Sequence, residues 1–170
     1  TVTRNRFNVY RYAIEKFENE APRASLALNA ALRNDSVVVK LTVQVKEKNR
    51  VKQPALHIAL VERSVDYTGA NGIARHAFVV RRMFDGAQGM PLNVNTPREH
   101  MTKTVSLADV EATIKQYLNN PTAQRSWSYR RPFTGWRARP ERLDRSNLAV
   151  VAWVQDMSTK EVLQAVYQEL

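Results

Sequence analysis

Residues 36–46 read SVVVKLTVQVK, and this stretch decides the fold. Its apolar side chains recur at every second position, and Lys40, Thr42 and Gln44 lie between them; the apolar set is Val37, Val39, Leu41, Val43 and Val45. Successive side chains of a strand point to opposite faces of a sheet. The alternation therefore predicts a strand with one buried and one polar face.

The segments on either side extend this strand into a sheet. Apolar residues alternate from Leu26 to Leu32, and Asn34-Asp35 supplies turn residues, so we expect a hairpin. Downstream, the residues from Ala55 to Val61 are all apolar except His57, so both faces of a strand there would be apolar. That pattern is typical of a strand covered on both faces.

Further strands are predicted along the rest of the chain. Residues 66–72 contain glycines and read as a connection between the Ala55–Val61 strand and a partner strand at 74–83. A strand is expected at 101–107. The apolar runs at 148–154 and 161–170, separated by the polar turn at 155–160, predict a C-terminal hairpin.

Two helices are expected. Between Arg4 and Glu20 one helical stripe carries four large apolar residues, Phe7, Tyr10, Ile14 and Phe17. The second helix begins near Ser106, which Asp109 follows at capping-box spacing. It ends at Asn119-Asn120-Pro121.

The fold class that these elements favour is mainly β: an antiparallel β-sandwich, immunoglobulin-like or jelly-roll-like, with an N-terminal amphipathic helix and a short helix in an insertion. We divide the chain into a connector helix at 1–22 and a sandwich domain at 23–170. The insertion occupies about 108–146. Strands do not alternate with helices, and neither GxGxxG nor GxxxxGK[ST] occurs, which disfavours a doubly wound nucleotide-binding fold.

Composition narrows the function classes. The 170 residues carry a net charge of +10 and are 44% hydrophobic, as expected of a globular domain. Cysteine is absent, which excludes a disulfide, a thiolate metal site and a cysteine nucleophile within these residues. No apolar run approaches the roughly 20 residues that span a bilayer, and no signal-peptide core is present, so we expect no membrane span. Because Thr1 stands first, we expect a processed chain or part of a longer protein.

The segment from Pro121 to Ser146 is basic and aromatic. Its seven arginines and two carboxylates account for half of the net charge. One reading is a nucleic-acid or polyanion surface, in which arginines neutralise phosphates and aromatic rings stack on bases. The other is a loop whose aromatic rings pack on the sandwich beneath arginine stems. The candidate interaction surface comprises Arg125, Trp127, Tyr129, Arg130, Arg131, Phe133, Trp136 and Arg137.

The polar residues of the predicted strands contain two groups of the types used in metal binding and catalysis. His57 and Glu62 are five positions apart, so on one regular strand they point to opposite faces and cannot share an ion. Ser64, Asp66 and His76 are triad-type residues, but no nucleophile elbow accompanies them, and we expect them not to meet. We therefore expect no catalytic residue, no metal and no cofactor in this chain.

Three stretches resemble a known family: LHIALVERSVD at 56–66, NGIARHAFVVRRM at 71–83 and NLAVVAWVQDMSTKEVLQAV at 147–166. They are similar to the C-terminal β-sandwich domain of secreted or outer-membrane-associated bacterial thioredoxin-like (redoxin) proteins. The closing block is the most specific, with the VQD turn at 154–156 followed by TKEVLQA at 159–165. The helix Arg4–Glu20 resembles the connector that leaves the upstream domain. The resemblance covers about two thirds of the chain and omits 108–146.

The resemblance implies a noncatalytic accessory or protein-interaction domain of a cell-envelope protein, periplasmic or outer-membrane-associated. Any thiol chemistry belongs to an upstream thioredoxin-like domain, because this chain has no cysteine. The implied partners are that domain in cis and an unknown envelope protein or ligand. Binding of nucleic acid or another polyanion through the arginine-rich insertion is the alternative, which we favour less.

Overall fold

The structure, a computed structural model, describes residues 2–18, 20–68, 72–120 and 141–170. The elements follow one another along the chain, with α1 at Val2–Glu18, β1 at Ala24–Arg33, β2 at Ser36–Val45, β3 at Pro54–Asp66, β4 at Arg75–Met83, β5 at Met90–Pro91, β6 at Glu99–Ser106, α2 at Leu107–Asn119, a single 3₁₀ turn at Arg145–Asn147, β7 at Leu148–Asp156 and β8 at Glu161–Glu169.

The described strands form two antiparallel sheets. The smaller sheet has the order β1-β2-β6, and the larger has the order β4-β3-β7-β8 with the short β5 paired to the start of β3. The predicted antiparallel β-sandwich is confirmed. Both hairpins expected from the sequence, β1-β2 and β7-β8, are present.

The core between the sheets is formed by the apolar stripes of the predicted strands. The five alternating apolar residues of β2 are at most 4% exposed. The larger sheet contributes side chains of β3 and β7 to the same core: Leu56, Ile58, Leu60, Leu148, Val150 and Val154. Burial of this apolar surface is the main force that holds the two sheets together.

Strand β3 is buried on both faces, as its continuous apolar run predicts. Its first nine residues are all buried. Ala59 and Val61 turn away from the core and form a second cluster with Ala149 of β7. Trp153 and Val151 pack against that cluster from the outer face of the sheet.

The two helices differ in their packing. Helix α2 begins after Ser106, whose hydroxyl accepts a hydrogen bond from the Asp109 N–H at 3.3 Å, and its Leu107 and Val110 are buried. Helix α1 is present within two residues of its predicted bounds, but its described side chains are exposed. Of the helices within the described ranges, none combines the length and apolarity that a membrane span requires.

Candidate functional site

An apolar groove lies between the edge strand β4 and helix α2. Its volume is about 430 Å³, within the usual range of ligand pockets. The lining combines aliphatic and aromatic side chains with one arginine: Tyr67, Val80, Arg81, Thr113, Ile114, Tyr117 and Leu118. The combination of apolar walls with a single charged side chain makes this groove the candidate site.

A β-bulge places Arg81 in the groove. Leu60 pairs with Arg82 and Val61 pairs with Val80, so Arg81 is the extra residue of β4 without a partner on β3. A bulge bends the strand and re-aims a side chain. The Arg81 side chain is consequently only 9% exposed although β4 is the edge strand of its sheet.

Glu62 holds this buried arginine. Its Oε2 accepts a hydrogen bond from Arg81 Nε, and its Oε1 accepts one from the Asp144 N–H at 2.8 Å. The Glu62 side chain is 4% exposed, so both charges of the pair are largely removed from water. Further hydrogen bonds to a buried pair offset part of its desolvation cost, and the Asp144 N–H provides one to the carboxylate of Glu62.

The outer nitrogens of Arg81 define the chemistry of the groove. Within the described part of the chain, Nε is the only Arg81 nitrogen that donates a hydrogen bond. Nη1 and Nη2 therefore offer N–H donors beside the apolar lining of the groove. Because Glu62 already neutralises the guanidinium, a neutral acceptor such as a carbonyl oxygen suits these donors better than an anion.

A second feature is an aromatic pair on the outer face of the larger sheet. Phe78 of β4 and Tyr167 of β8 contact each other edge to face, with ring centroids 5.7 Å apart. Their strands are separated by β3 and β7, so the two side chains meet over the middle of the sheet. They are 53% and 44% exposed, respectively. The pair gives this face an aromatic surface that solvent reaches.

His57 is a buried histidine on the outer side of β3, next to Trp153. It is 2% exposed, and its ring stacks on Trp153 with centroids 4.9 Å apart. Neither ring nitrogen has a hydrogen-bond partner among the described residues. Burial, and to a lesser extent the charge of Lys160, lowers the pKa of His57 below its usual value. We therefore assign it as a neutral packing residue.

His57 and Glu62 point to opposite faces of β3, as their spacing of five residues predicts. The regular β3-β7 register sets His57 against Trp153 and Glu62 against Leu148, on opposite faces of β3. The third histidine of the chain, His100, lies on β6, where its Nδ1 is 3.0 Å from Thr42 Oγ1. Across the described ranges, no group of three histidine or carboxylate side chains converges as a metal site would require.

The triad-type residues also do not meet, as expected. His76 is opposite Val65 in the β3-β4 register, whereas Ser64 and Asp66 occupy the neighbouring positions and point to the other face. His76 Nε2 lies 2.9 Å from the Tyr67 carbonyl oxygen. Arg75 Nε donates to Asp66 at 2.8 Å, and this hydrogen bond, with the charge of Arg75, lowers the pKa of Asp66.

The arginine-rich and aromatic surface predicted from the sequence lies outside the described residues. All eight of its members, from Arg125 to Arg137, fall within 121–140. Polyanion binding therefore stays a prediction. Of the adjoining arginines, Arg145 pairs with Asp35 at the end of the β1-β2 hairpin.

Sequence reasoning missed the groove. The run VVRRM was noted for its similarity to a family, but not as the site of a bulge. One signal was available: Glu62 ends the long apolar run of β3, and a carboxylate there needs a buried cation. The register that makes Arg81 that cation could not be deduced from the period of the strand alone.

Solved structures share this fold, among them two proteins from Porphyromonas gingivalis. The similarity to a domain of the outer membrane lipoprotein Omp28 from Porphyromonas gingivalis has a TM-score of 0.52 at 14% sequence identity, covering 89% of this chain and 90% of that one. HBP35 of Porphyromonas gingivalis is similar with a TM-score of 0.60 at 13% identity, over 94% of this chain and 45% of that one. At such identities the likeness shows the fold alone. No protein-family model matches the chain, and no curated protein matches it significantly in sequence.

Proposed function

We propose that this chain is a noncatalytic accessory domain that binds protein partners within a bacterial cell-envelope protein. In this proposal, an upstream thioredoxin-like domain of the same protein carries any redox chemistry. The accessory domain contributes two surfaces, the groove between β4 and α2 and the aromatic outer face of the larger sheet.

The observation that carries the proposal is the extent of the similarity to HBP35. The chain spans 45% of that protein, while 94% of this chain is covered. The fold thus occurs as one part of a longer chain, as expected of an accessory domain. The similar domain from an outer membrane lipoprotein supports placement in the envelope. The resemblance of 147–166 to the closing block of redoxin-associated sandwiches supports the thioredoxin-like neighbour.

The groove suits an apolar segment of a partner protein. Val80 and Ile114 offer aliphatic contact, and the outer nitrogens of Arg81 offer donors to a backbone carbonyl. An apolar side chain beside a peptide carbonyl matches both features, and it places no additional charge next to the Arg81–Glu62 pair. A peptide with an acidic side chain at this point would add a negative charge to a poorly solvated neutral pair.

The proposed location in the cell envelope is tested by fractionating cells that make the parent protein and detecting that protein with an antibody against this chain. We expect the protein in the envelope fraction. Removing residues 23–170 should leave the thiol–disulfide exchange rate of the parent protein unchanged. Recovery in the cytosolic fraction, or loss of exchange on this deletion while the remainder stays folded, would contradict the proposal.

The groove is tested with two small probes and the folded chain. N-acetyl-leucinamide combines an apolar side chain with neutral carbonyls, and N-acetyl-aspartate amide replaces that side chain by a carboxylate. In methyl-resolved NMR titrations we expect the leucine probe to shift the signals of Ile114 and Val80, and the aspartate probe to leave them in place.

Two variants sharpen this experiment. Ile114→Asn should abolish the shifts at Val80, whereas the matched control Val162→Asn, at an exposed position of β8, should retain them. Arg81→Met should weaken binding of the leucine probe by removing the carbonyl donors. Equal shifts with the two probes, or unchanged binding in Ile114→Asn, would show that the groove does not select this chemistry.

A further inference from the structure

The aromatic pair of Phe78 and Tyr167 borders a polar network on the outer face of the larger sheet. The Tyr167 hydroxyl donates a hydrogen bond to Glu169 Oε1 at 2.9 Å, and Arg63 Nη1 donates one to Glu169 Oε2 at 2.7 Å. Arg63 Nη2 also donates to the Ser146 carbonyl at 3.2 Å. Two exposed aromatic rings therefore lie beside a carboxylate and a guanidinium whose positions are fixed by hydrogen bonds.

The backbone of Phe78 is strained. Its φ is +51°, a left-handed conformation that a bulky side chain rarely adopts. The ring gains little from burial in return, because Phe78 is 53% exposed. Strained residues persist only where the surrounding structure holds them, and they are concentrated at ligand-binding positions. The strain and the exposure of Phe78 together indicate a ring that is placed for contact with a ligand.

The polar network retains unused hydrogen-bonding capacity. Among the described residues, each carboxylate oxygen of Glu169 accepts one hydrogen bond, and each outer nitrogen of Arg63 donates one. A carboxylate has further acceptor sites, and a guanidinium has further N–H donors. Because the two charges neutralise each other, a charged ligand gains little here. A neutral ligand that both donates and accepts hydrogen bonds matches the network.

We propose that the surface formed by Arg63, Phe78, Tyr167 and Glu169 is a binding site for a neutral pyranose sugar. A pyranose ring has an apolar face of C–H groups, which packs on an aromatic ring, and an edge of hydroxyl groups. These hydroxyl groups donate to Glu169 and accept from Arg63. The inference rests on the proposed function, in which this face contacts a partner, and it specifies that the partner presents a glycan there.

The site is tested by titrating the folded chain with the methyl glycosides of glucose, mannose, galactose and N-acetylglucosamine. In NMR spectra of the aromatic side chains, we expect at least one glycoside to shift the ring signals of Phe78 and Tyr167. Sorbitol has the hydroxyl groups but no ring with an apolar face, so it should leave these signals in place at the same concentration. The absence of shifts with all four glycosides overturns the inference, as do equal shifts with sorbitol.

Substitutions separate a ligand site from a structural cluster. Glycine suits the left-handed backbone, so Phe78→Gly should unfold at nearly the same temperature as the parent. It should nevertheless weaken binding of the glycoside by about tenfold, because one aromatic contact is lost. The matched control for binding is Tyr12→Ala, which removes a 72% exposed aromatic ring of α1 and should bind like the parent. A loss of thermal stability in Phe78→Gly as large as in Leu163→Ala, which truncates a buried side chain of β8, would show that Phe78 serves packing and would overturn the inference.

A polypeptide segment is the competing occupant of this face. N-acetyl-phenylalaninamide presents an aromatic side chain and peptide groups without a sugar ring. Shifts of the Phe78 and Tyr167 signals with this probe but with none of the glycosides would overturn the inference and assign the face to a polypeptide. The groove titrations observe Val80 and Ile114, and cell fractionation observes the parent protein. A failure of the sugar site is therefore distinguishable from a failure of the proposed function.

Discussion

The side-chain amide of Gln168 bonds to both backbone groups of Ala30 and so joins the two sheets at one edge. Gln168 Nε2 donates to the Ala30 carbonyl at 2.7 Å, and the Ala30 N–H donates to Gln168 Oε1 at 2.9 Å. These residues lie on β8 and β1, which are edge strands of different sheets. The amide thus occupies the place of a neighbouring strand and satisfies backbone groups of an otherwise unpaired edge.

Replacing this amide by a carboxylate should destabilise the sandwich. In Gln168→Glu the acceptor for the Ala30 N–H is kept, but the donor to the Ala30 carbonyl is lost and two oxygens face each other. We expect a loss of about 1–3 kcal/mol in the free energy of unfolding, measured by urea denaturation at neutral pH. The same substitution at the exposed Gln116 of α2 is the control and should change stability much less. Equal effects at both positions would contradict the assigned role.

The side chain of Asp156 forms hydrogen bonds with two separate turns. Its carboxylate accepts hydrogen bonds from the backbone N–H groups of Lys52, Gln53 and Ser158 and from the Ser158 hydroxyl. Burial by itself raises the pKa of Asp156, but these hydrogen bonds outweigh it and lower the pKa to about 2. The carboxylate therefore ties the segment before β3 to the β7-β8 turn most strongly when it is ionised.

The stability of the fold should fall in acid because of this residue. The folded pKa is below the unfolded value of 3.8, so its contribution is present above pH 3.8 and is lost as the pH falls towards 2. The size of the shift corresponds to about 2 kcal/mol. The free energy of unfolding, measured by denaturation at several pH values between 2 and 6, should decrease in acid in the parent. The decrease should be smaller in Asp156→Asn. Identical decreases in the two proteins would exclude Asp156 as the source.

His57 should give the stability of the fold a second, separate dependence on pH. Its folded pKa is lowered from 6.5, so the unfolded chain binds the additional proton more readily. Stability is consequently complete above pH 6.5 and falls as the pH decreases from that value towards the lowered folded pKa. His57→Phe keeps a ring against Trp153 and should flatten the stability profile in this window. His100→Phe, at the exposed histidine of β6, is the control, and an equal flattening there would refute the assignment.

The packing around His57 makes an independent prediction at Gly89. Its φ is +68°, and a Cβ built on it would lie 2.8 Å from both the His57 ring and the Leu56 carbonyl oxygen. Gly89→Ala should therefore be destabilising through both the backbone and the contact. Gly86 has a φ of +71°, and a Cβ built on it would have no atom within 4 Å, so Gly86→Ala measures the backbone contribution alone. Thermal unfolding should show the larger loss in Gly89→Ala, and equal losses would contradict a steric role for His57.

The sequence predicted those strands whose buried faces follow from local periodicity. Alternation in β2 and the continuous apolar run of β3 follow from which faces are buried, and both strands are found in the expected roles. The two-residue strand β5 is too short to have a period. Arg81 was missed because its burial depends on the register between two strands, which one extra residue changes. The bond from Gln168 to Ala30 joins residues 138 positions apart, a distance over which no local pattern gives information.

The buried pair of Glu62 and Arg81 should behave as one unit. Arg81→Met alone leaves the Glu62 carboxylate buried without its cation, and we expect a loss of about 3–5 kcal/mol in the free energy of unfolding. Glu62→Gln still accepts from the Asp144 N–H but leaves the Arg81 charge uncompensated, so it should also be destabilising. The double variant removes both charges and should lose less than the two single losses together.

Urea denaturation of the four proteins gives the coupling energy directly. The exposed pair of Asp66 and Arg75 supplies a matched cycle, in which Asp66→Asn and Arg75→Met should show little coupling because solvent screens the charges. Strong coupling at Glu62 and Arg81 with weak coupling at the exposed pair is the expected result. Additive losses at Glu62 and Arg81 would mean that the bulge is held by backbone geometry, and the ion pair would then not account for the buried position of Arg81.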